Sequence, residues 1–219
     1  DGRYFVVMEL LEGQSLRHHL KQAQRLELPL AVFFGYQLAA ALQATHERGV
    51  VHRDLKPENV FLVKDPLLPE GLRAKLLDFG IAKAVTAAPG GAPLSASALG
   101  MTEAGQLLGT PRYMSPEQCQ GLLHLDGKSD VYALGVMLYE MISGGPPFDH
   151  PTPVALMAMH VTQPAPSLRE LDAGLPRVLT DFVDRMLAKG ASERPTMAQV
   201  ASRLKNLIRG GLLPPPDAI

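Results

Sequence analysis

Apolar positions along the chain follow two rhythms. In "LPLAVFFGYQLAAALQAT", apolar residues recur at 30, 33, 34, 38, 41 and 42, the three-to-four spacing of one helix face. This predicts a helix from about Leu30 to Arg48, ended by Gly49. Ser15 is placed to cap a shorter helix running to about Arg25. "DVYALGVMLYEMI" (130–142) is apolar nearly all round, which predicts a buried central helix. Further helices are expected near 153–162, near 178–188, and from Thr196, as N-cap, to about Ile208. The second rhythm is short and strand-like. It covers "RYFVVMEL" (3–10), Val50-Val51, Val60 to Val63, and "AKLLDFG" (74–80), which enters a tight turn.

Between Val51 and Val60 the pattern breaks into "HRDLKPEN". A polar run gripped between two buried strands would be held rigidly, and rigid polar loops are where reacting groups sit. Residues 84–105 are mostly Ala, Gly, Pro, Ser and Thr, too poor in large apolar groups to pack alone, and read as a flexible loop. The end, "GGLLPPPDAI", reads as a linker.

Composition narrows the picture. At 219 residues the chain can form one large core or two small ones. Its net charge of −1 gives no overall basic field for nucleic acid, so any phosphate must be held by a local site. A single cysteine, Cys119, excludes an intrachain disulfide and fits a reducing, cytoplasmic compartment. Tyr36 and Gln37 interrupt the richest apolar segment, so no membrane-spanning segment is expected.

"HRDLKPEN" (52–59), "DFG" (78–80), "GTPRYMSPEQ" (109–118), "DVYALGVMLYEM" and "ERP" (193–195), in that order and spacing, resemble the eukaryotic-like protein kinases, and their bacterial serine/threonine branch in particular. The resemblance covers nearly the whole chain. Taken singly, Asp54 and Asp78 read as turn residues, Asn59 as a strand-end cap and Lys56 as a solvated cation. Taken jointly at this spacing, they read as phosphoryl-transfer machinery.

The resemblance implies an α+β fold, mainly a helical kinase C-terminal lobe with a hinge strand and small β-ribbons. Residues 1–14 would be the end of an N-lobe sheet and the hinge, 15–209 the C-terminal lobe with an activation segment at 78–117, and 210–219 a linker. It implies ATP and Mg²⁺ as cofactors, and Ser/Thr hydroxyls of proteins as acceptors. Asp54 would take the hydroxyl proton and Lys56 would neutralise the γ-phosphate. Thr110 would bond both and shape the acceptor pocket. Asn59 and Asp78 would offer hard oxygens to Mg²⁺. Met8, Glu9, Leu11, Ser15 and Phe61 would contact the nucleoside. Arg53 would pair with a phosphorylated residue on the activation segment, with Thr102 the candidate and Thr86, Ser95 and Ser97 its competitors. His52 and Phe79 would be packing pieces, Glu117 and Arg194 an ion pair, and Asp130 an anchor for the backbone at His52-Arg53.

The chain does not begin with Met, and Asp1-Gly2 is a hairpin signal without an incoming strand. The expectation is a kinase domain whose glycine-rich loop and strand lysine lie upstream, with negligible activity in these 219 residues alone. The alternatives are a non-catalytic kinase-like binding module and a small-molecule phosphotransferase. The latter is not expected to carry "GTPRYMSPE" together with "ERP".

Overall fold

The computed structural model describes residues 9–68, 70–78 and 111–210. Most of the expected strand at 3–10, the stretch at 84–105 expected to form a flexible loop, and residues 211–219 lie outside them. Glu9 and Leu10, at the end of that expected strand, are irregular.

A small antiparallel sheet comes first. β1 (Gly13–Ser15) pairs with β2 (Val60–Lys64), which pairs with β3 (Leu72–Leu76). Ser15 stands opposite Phe61 in this ladder. β1 was not foreseen, because three residues, Gly13-Gln14-Ser15, carry no alternation to read. Ser15 also closes the sheet into α1 (Leu16–Ala23), its side chain accepting from the His18 N–H.

α2 (Leu28–His46) packs against α8 (Met197–Arg209), against α4 (Gly127–Ser143) and against β3. Phe34, Leu38 and Leu42 of α2, Leu134, Met137 and Leu138 of α4, and Val200 and Leu204 of α8 form the centre of the core with no exposed surface. α4 is buried nearly all round, as an apolar surface without a polar face requires. α2 is long and apolar enough to cross a membrane, although the sequence reading excluded such a segment. Its apolar face is spent on α4 and α8, which makes it a core helix. Gln37, the polar break in that helix, braces the sheet. Its Nε2 donates to Leu72 O at 3.3 Å and its Oε1 accepts from the Ala74 N–H at 3.1 Å.

The helices α3 (Pro116–Cys119), α5 (Pro153–Thr162), α6 (Leu168–Leu171) and α7 (Arg177–Met186) complete the helical layer. Lys189 caps α5, its Nζ donating to His160 O at 2.8 Å and lying 4.5 Å from the centre of the Phe148 ring.

One expected strand is absent. Val50 and Val51 are irregular, and Val50 is 44% exposed. Gly49 takes a φ of +74°, the left-handed conformation that ends a helix without a Cβ penalty. The Val50 N–H then turns back to Thr45 O at 2.9 Å and the Gly49 N–H to His46 O at 2.9 Å. Val50 thus belongs to the closing turn of α2. The polar loop runs from a helix end into β2, not between two strands.

Candidate active site

The loop 52–59 is gripped from three sides. From α4, Asp130, 1% exposed, accepts the His52 N–H on Oδ2 and the Arg53 N–H on Oδ1, both at 2.9 Å. From the residue just past β3, the Leu77 carbonyl lies 3.0 Å from His52 Nε2. A carbonyl only accepts, so that nitrogen carries the proton, and Nδ1 is left to accept from the Asp54 N–H at 3.4 Å. His52 is fully buried in this role, a packing and bonding piece. From α3, the Gln118 amide donates to Arg53 O at 2.7 Å. These bonds hold Arg53 at a φ of +65°, a conformation that a non-glycine residue keeps only when its surroundings enforce it.

Within the loop three polar side chains converge. Lys56 Nζ lies 2.8 Å from Asp54 Oδ2. Asn59 Nδ2 donates to the same oxygen at 3.1 Å and to Asp54 O at 2.8 Å. Asp54 and Lys56 keep 35% of their side chains exposed, so the pair faces solvent while its backbone is fixed. Asn59 is nearly buried, and its amide nitrogen is engaged by Asp54, which leaves the carbonyl oxygen as its acceptor. Asp78 follows Leu77, whose N–H bonds to Asn59 O at 2.8 Å. That bond holds the Asp78 backbone beside Asn59. Asp78 itself is exposed, with a φ of +52°.

This donor set suits a hard divalent cation. It offers one neutral amide oxygen and one exposed carboxylate, few protein ligands for an ion that keeps much of its water. Among the described residues no cluster of three or more His, Cys, Asp or Glu is placed to hold a metal ion.

Around the loop, Glu117 and Arg194 form a bidentate pair at 2.7 and 2.9 Å. The remaining Arg194 donors reach Ala188 O, Lys128 O and Lys189 O, and Ser129 Oγ donates to Glu117 at 2.7 Å. Burial opposes ionisation of Glu117, but the hydrogen bonds from Arg194 and Ser129 outweigh it and hold its carboxyl below the usual range.

A second network was not legible in the sequence. Arg17 of α1 bonds Glu58 of the loop at 2.8 Å, Glu140 of α4 at 2.8 Å, and the Tyr113 hydroxyl. Tyr113 in turn donates to Glu140 at 2.5 Å. Burial and the adjacent Glu140 push the Tyr113 hydroxyl far above its ordinary pKa, so it stays a donor. Three members, Glu58, Tyr113 and Glu140, stand in motifs that gave a signal, but nothing in those motifs joined them to one another or to Arg17.

On the nucleoside side, Glu9 is exposed and paired with Lys75 at 2.7 Å, and Leu11 is half-buried. No backbone–backbone hydrogen bond ties either to another described residue. Phe61 is half-buried opposite Ser15, whose hydroxyl already caps α1. Met8, Phe79, Thr102 and Thr110 lie outside the described residues, as do Thr86, Ser95 and Ser97. Two hollows lie at the C-terminal end of α4, one of about 220 Å³ against the start of α2 and α6 and one of about 600 Å³ against α1, and none of Asp54, Lys56, Asn59 or Asp78 lines either.

A helical layer built on a buried α4, with a strained polar loop tied to its N-terminal turn, defines a protein kinase fold. Residues 1–204 match the protein kinase domain family, and the chain belongs to that family. It is 38% identical over 201 residues to the serine/threonine-protein kinase Pkn3 of Myxococcus xanthus, covering 91% of this chain and 35% of the relative. It is 37% identical over 195 residues to the serine/threonine-protein kinase PknD of Mycobacterium tuberculosis, covering 89% and 27%. The chain thus spans about a third or less of these relatives' length. Among solved structures, the Rad53 kinase domain superposes with a TM-score of 0.66 at 20% identity over 90% of this chain and 68% of that one. The PknI kinase domain of Mycobacterium tuberculosis gives 0.63 at 22% over 92% and 64%. At such identities these two speak to the fold.

Proposed function

We propose that the protein is a serine/threonine protein kinase, moving the γ-phosphoryl group of ATP to Ser/Thr hydroxyls of proteins. The convergence of Lys56 and Asn59 on one oxygen of Asp54 carries this reading. Phosphoryl transfer is mainly positioning and charge neutralisation, and this loop supplies both. The acceptor oxygen forms a bond to the γ-phosphorus as the bond to the bridging oxygen of ADP breaks. Asp54 orients the acceptor hydroxyl and takes its proton. Lys56 neutralises charge on the transferring group, and its bond to Asp54 fixes both. Asn59 and Asp78 would hold Mg²⁺, which when bound neutralises the phosphate oxygens. Thr110 would join Asp54 and Lys56 at the acceptor pocket.

The backbone of Glu9 and Leu11 is available to adenine edges, with Met8 and Phe61 against the ring and Ser15 near the ribose. Arg53 Nε is buried with no hydrogen-bond partner among the described residues, which supports a role in meeting a phosphate arriving from the activation segment. Thr102 is the proposed site. Dependence on ATP is consistent with a cytoplasmic domain. The partners of this reading are protein substrates and ATP, with no nucleic acid; among the described residues the helix long and apolar enough to cross a membrane, α2, is spent on the core.

The test is phosphate transfer from ATP to a protein acceptor by the product of the full reading frame. Asp54→Asn should lower turnover by roughly 10² to 10⁴ with the unfolding temperature unchanged, since the side chain is partly exposed. Equal turnover in the variant would refute the assignment.

A further inference from the structure

Two carboxylates beside the loop of Asp54 are answered from within the protein. Glu58, on that loop, and Glu140, on α4, both bond the guanidinium of Arg17 at 2.8 Å. Beyond Arg17 the surface turns basic. Lys21 follows one turn along α1, on the same face. The helix ends at Gln24, whose φ of +64° turns the chain sharply. That turn sets Arg25 against the C-terminal end of α4, where a Cβ on Gly144 would lie 3.7 Å from Arg25 Cβ. Arg17, Lys21 and Arg25 therefore line one hollow of about 600 Å³, and Glu140 is the one carboxylate among the described residues that line it. Lys21 and Arg25 are exposed and have no ion-pair partner among the described residues.

We infer that this hollow receives an acidic stretch of the acceptor protein, flanking its Ser or Thr, and that Lys21 and Arg25 are the side chains that select it. The inference deepens the kinase reading and rests on it.

Charge names the occupant. A basic flank would meet Lys21 and Arg25, and would find Glu58 and Glu140 already bonded to Arg17. An acidic flank meets an ammonium and a guanidinium that nothing else neutralises. Position agrees with charge. Arg17 bonds the loop that carries Asp54, so a segment leaving Asp54 over Glu58 reaches Arg17 first, then Lys21 and Arg25. Arg25 is not needed to close α4. The Glu140 carbonyl there accepts the Gly144 N–H at 2.8 Å, and the Met141 carbonyl accepts the Leu26 N–H at 2.7 Å. The basic run stops at Arg25, because the adjoining smaller hollow adds Glu27 and Asp172 to its lining.

The test uses the product of the full reading frame and peptides built around the same Ser. One has neutral flanks, one an acidic run before the Ser, and one that run after it. Wild type should favour one acidic peptide over the neutral one by about five-fold or more in kcat/KM, through KM for the peptide. Raised salt should shrink that preference. The double variant Lys21→Gln, Arg25→Gln should erase it. Lys21→Glu with Arg25→Glu should reverse it in favour of a basic-flanked peptide. Both side chains are exposed, so the variants should unfold at the wild-type temperature. No acidic preference in wild type, or one that survives charge reversal, would overturn the inference. A labelled acidic peptide with Ala in place of Ser gives a readout without transfer. Fluorescence anisotropy should show weaker binding to the charge-reversed protein, and equal binding would also overturn the inference. A wild type that binds this peptide through Lys21 and Arg25 but transfers no phosphate would refute the kinase reading and leave the acidic docking surface standing.

Discussion

Arg194 has its whole guanidinium donor set satisfied inside the protein, and it lies 4.9 Å from the centre of the Tyr132 ring. Its side chain is fully buried, and its partner Glu117 is 12% exposed. Such a pair adds little over apolar residues of the same shape, but removing one member strands a buried charge. Glu117→Ala should therefore destabilise by about 3–5 kcal/mol, read as a lower urea midpoint. Adding Arg194→Met should recover part of the loss, because the stranded charge is then gone. The pairing of these residues, 77 positions apart, was implied by their motifs. The identity of the other acceptors, three backbone carbonyls, was not, because any residue type carries a carbonyl.

Elements were legible where their pattern was long. α4 and α8 were anticipated because a buried helix is apolar all round and a half-buried one repeats at three to four residues. Thr196 closes a capping box with Gln199, each side chain meeting the other residue's N–H. Thr196→Ala should cost on the order of 1 kcal/mol, seen as a small fall in unfolding temperature. Gln37 shows the opposite case. It read only as an interruption of an apolar helix, yet both ends of its amide serve β3. Gln37→Leu keeps the helix and leaves an N–H and a carbonyl of β3 without these partners. The expected cost is about 1–3 kcal/mol, measured by urea unfolding, with exchange quickening at Ala74. Val50-Val51 misled because β-branched residues favour strands only where the ladder is available. Here the Val50 N–H was already committed to the end of α2.

For the molecule as a whole, acid is the informative variable. The Glu117 carboxyl lies below its ordinary pKa, so the folded state binds fewer protons there than the unfolded state. That contribution is complete above the ordinary carboxylate range and is lost as pH falls through the depressed value. The urea midpoint of the wild type should thus drop below about pH 5, and the drop should be smaller in Glu117→Gln, which has no proton to gain. Equal slopes in both would remove Glu117 as a source of acid sensitivity. The sequence by itself determined the family, the central helices and the polar loop, because periodicity and short motifs are local properties of the chain. Only the tertiary structure decided that His46 and the His52 N–H share one carboxylate oxygen of Asp130, that Arg17 joins Glu58 to Glu140, and that the loop hangs from a helix end. Those are contacts between residues far apart in sequence, and the angle at which two helices cross sets them.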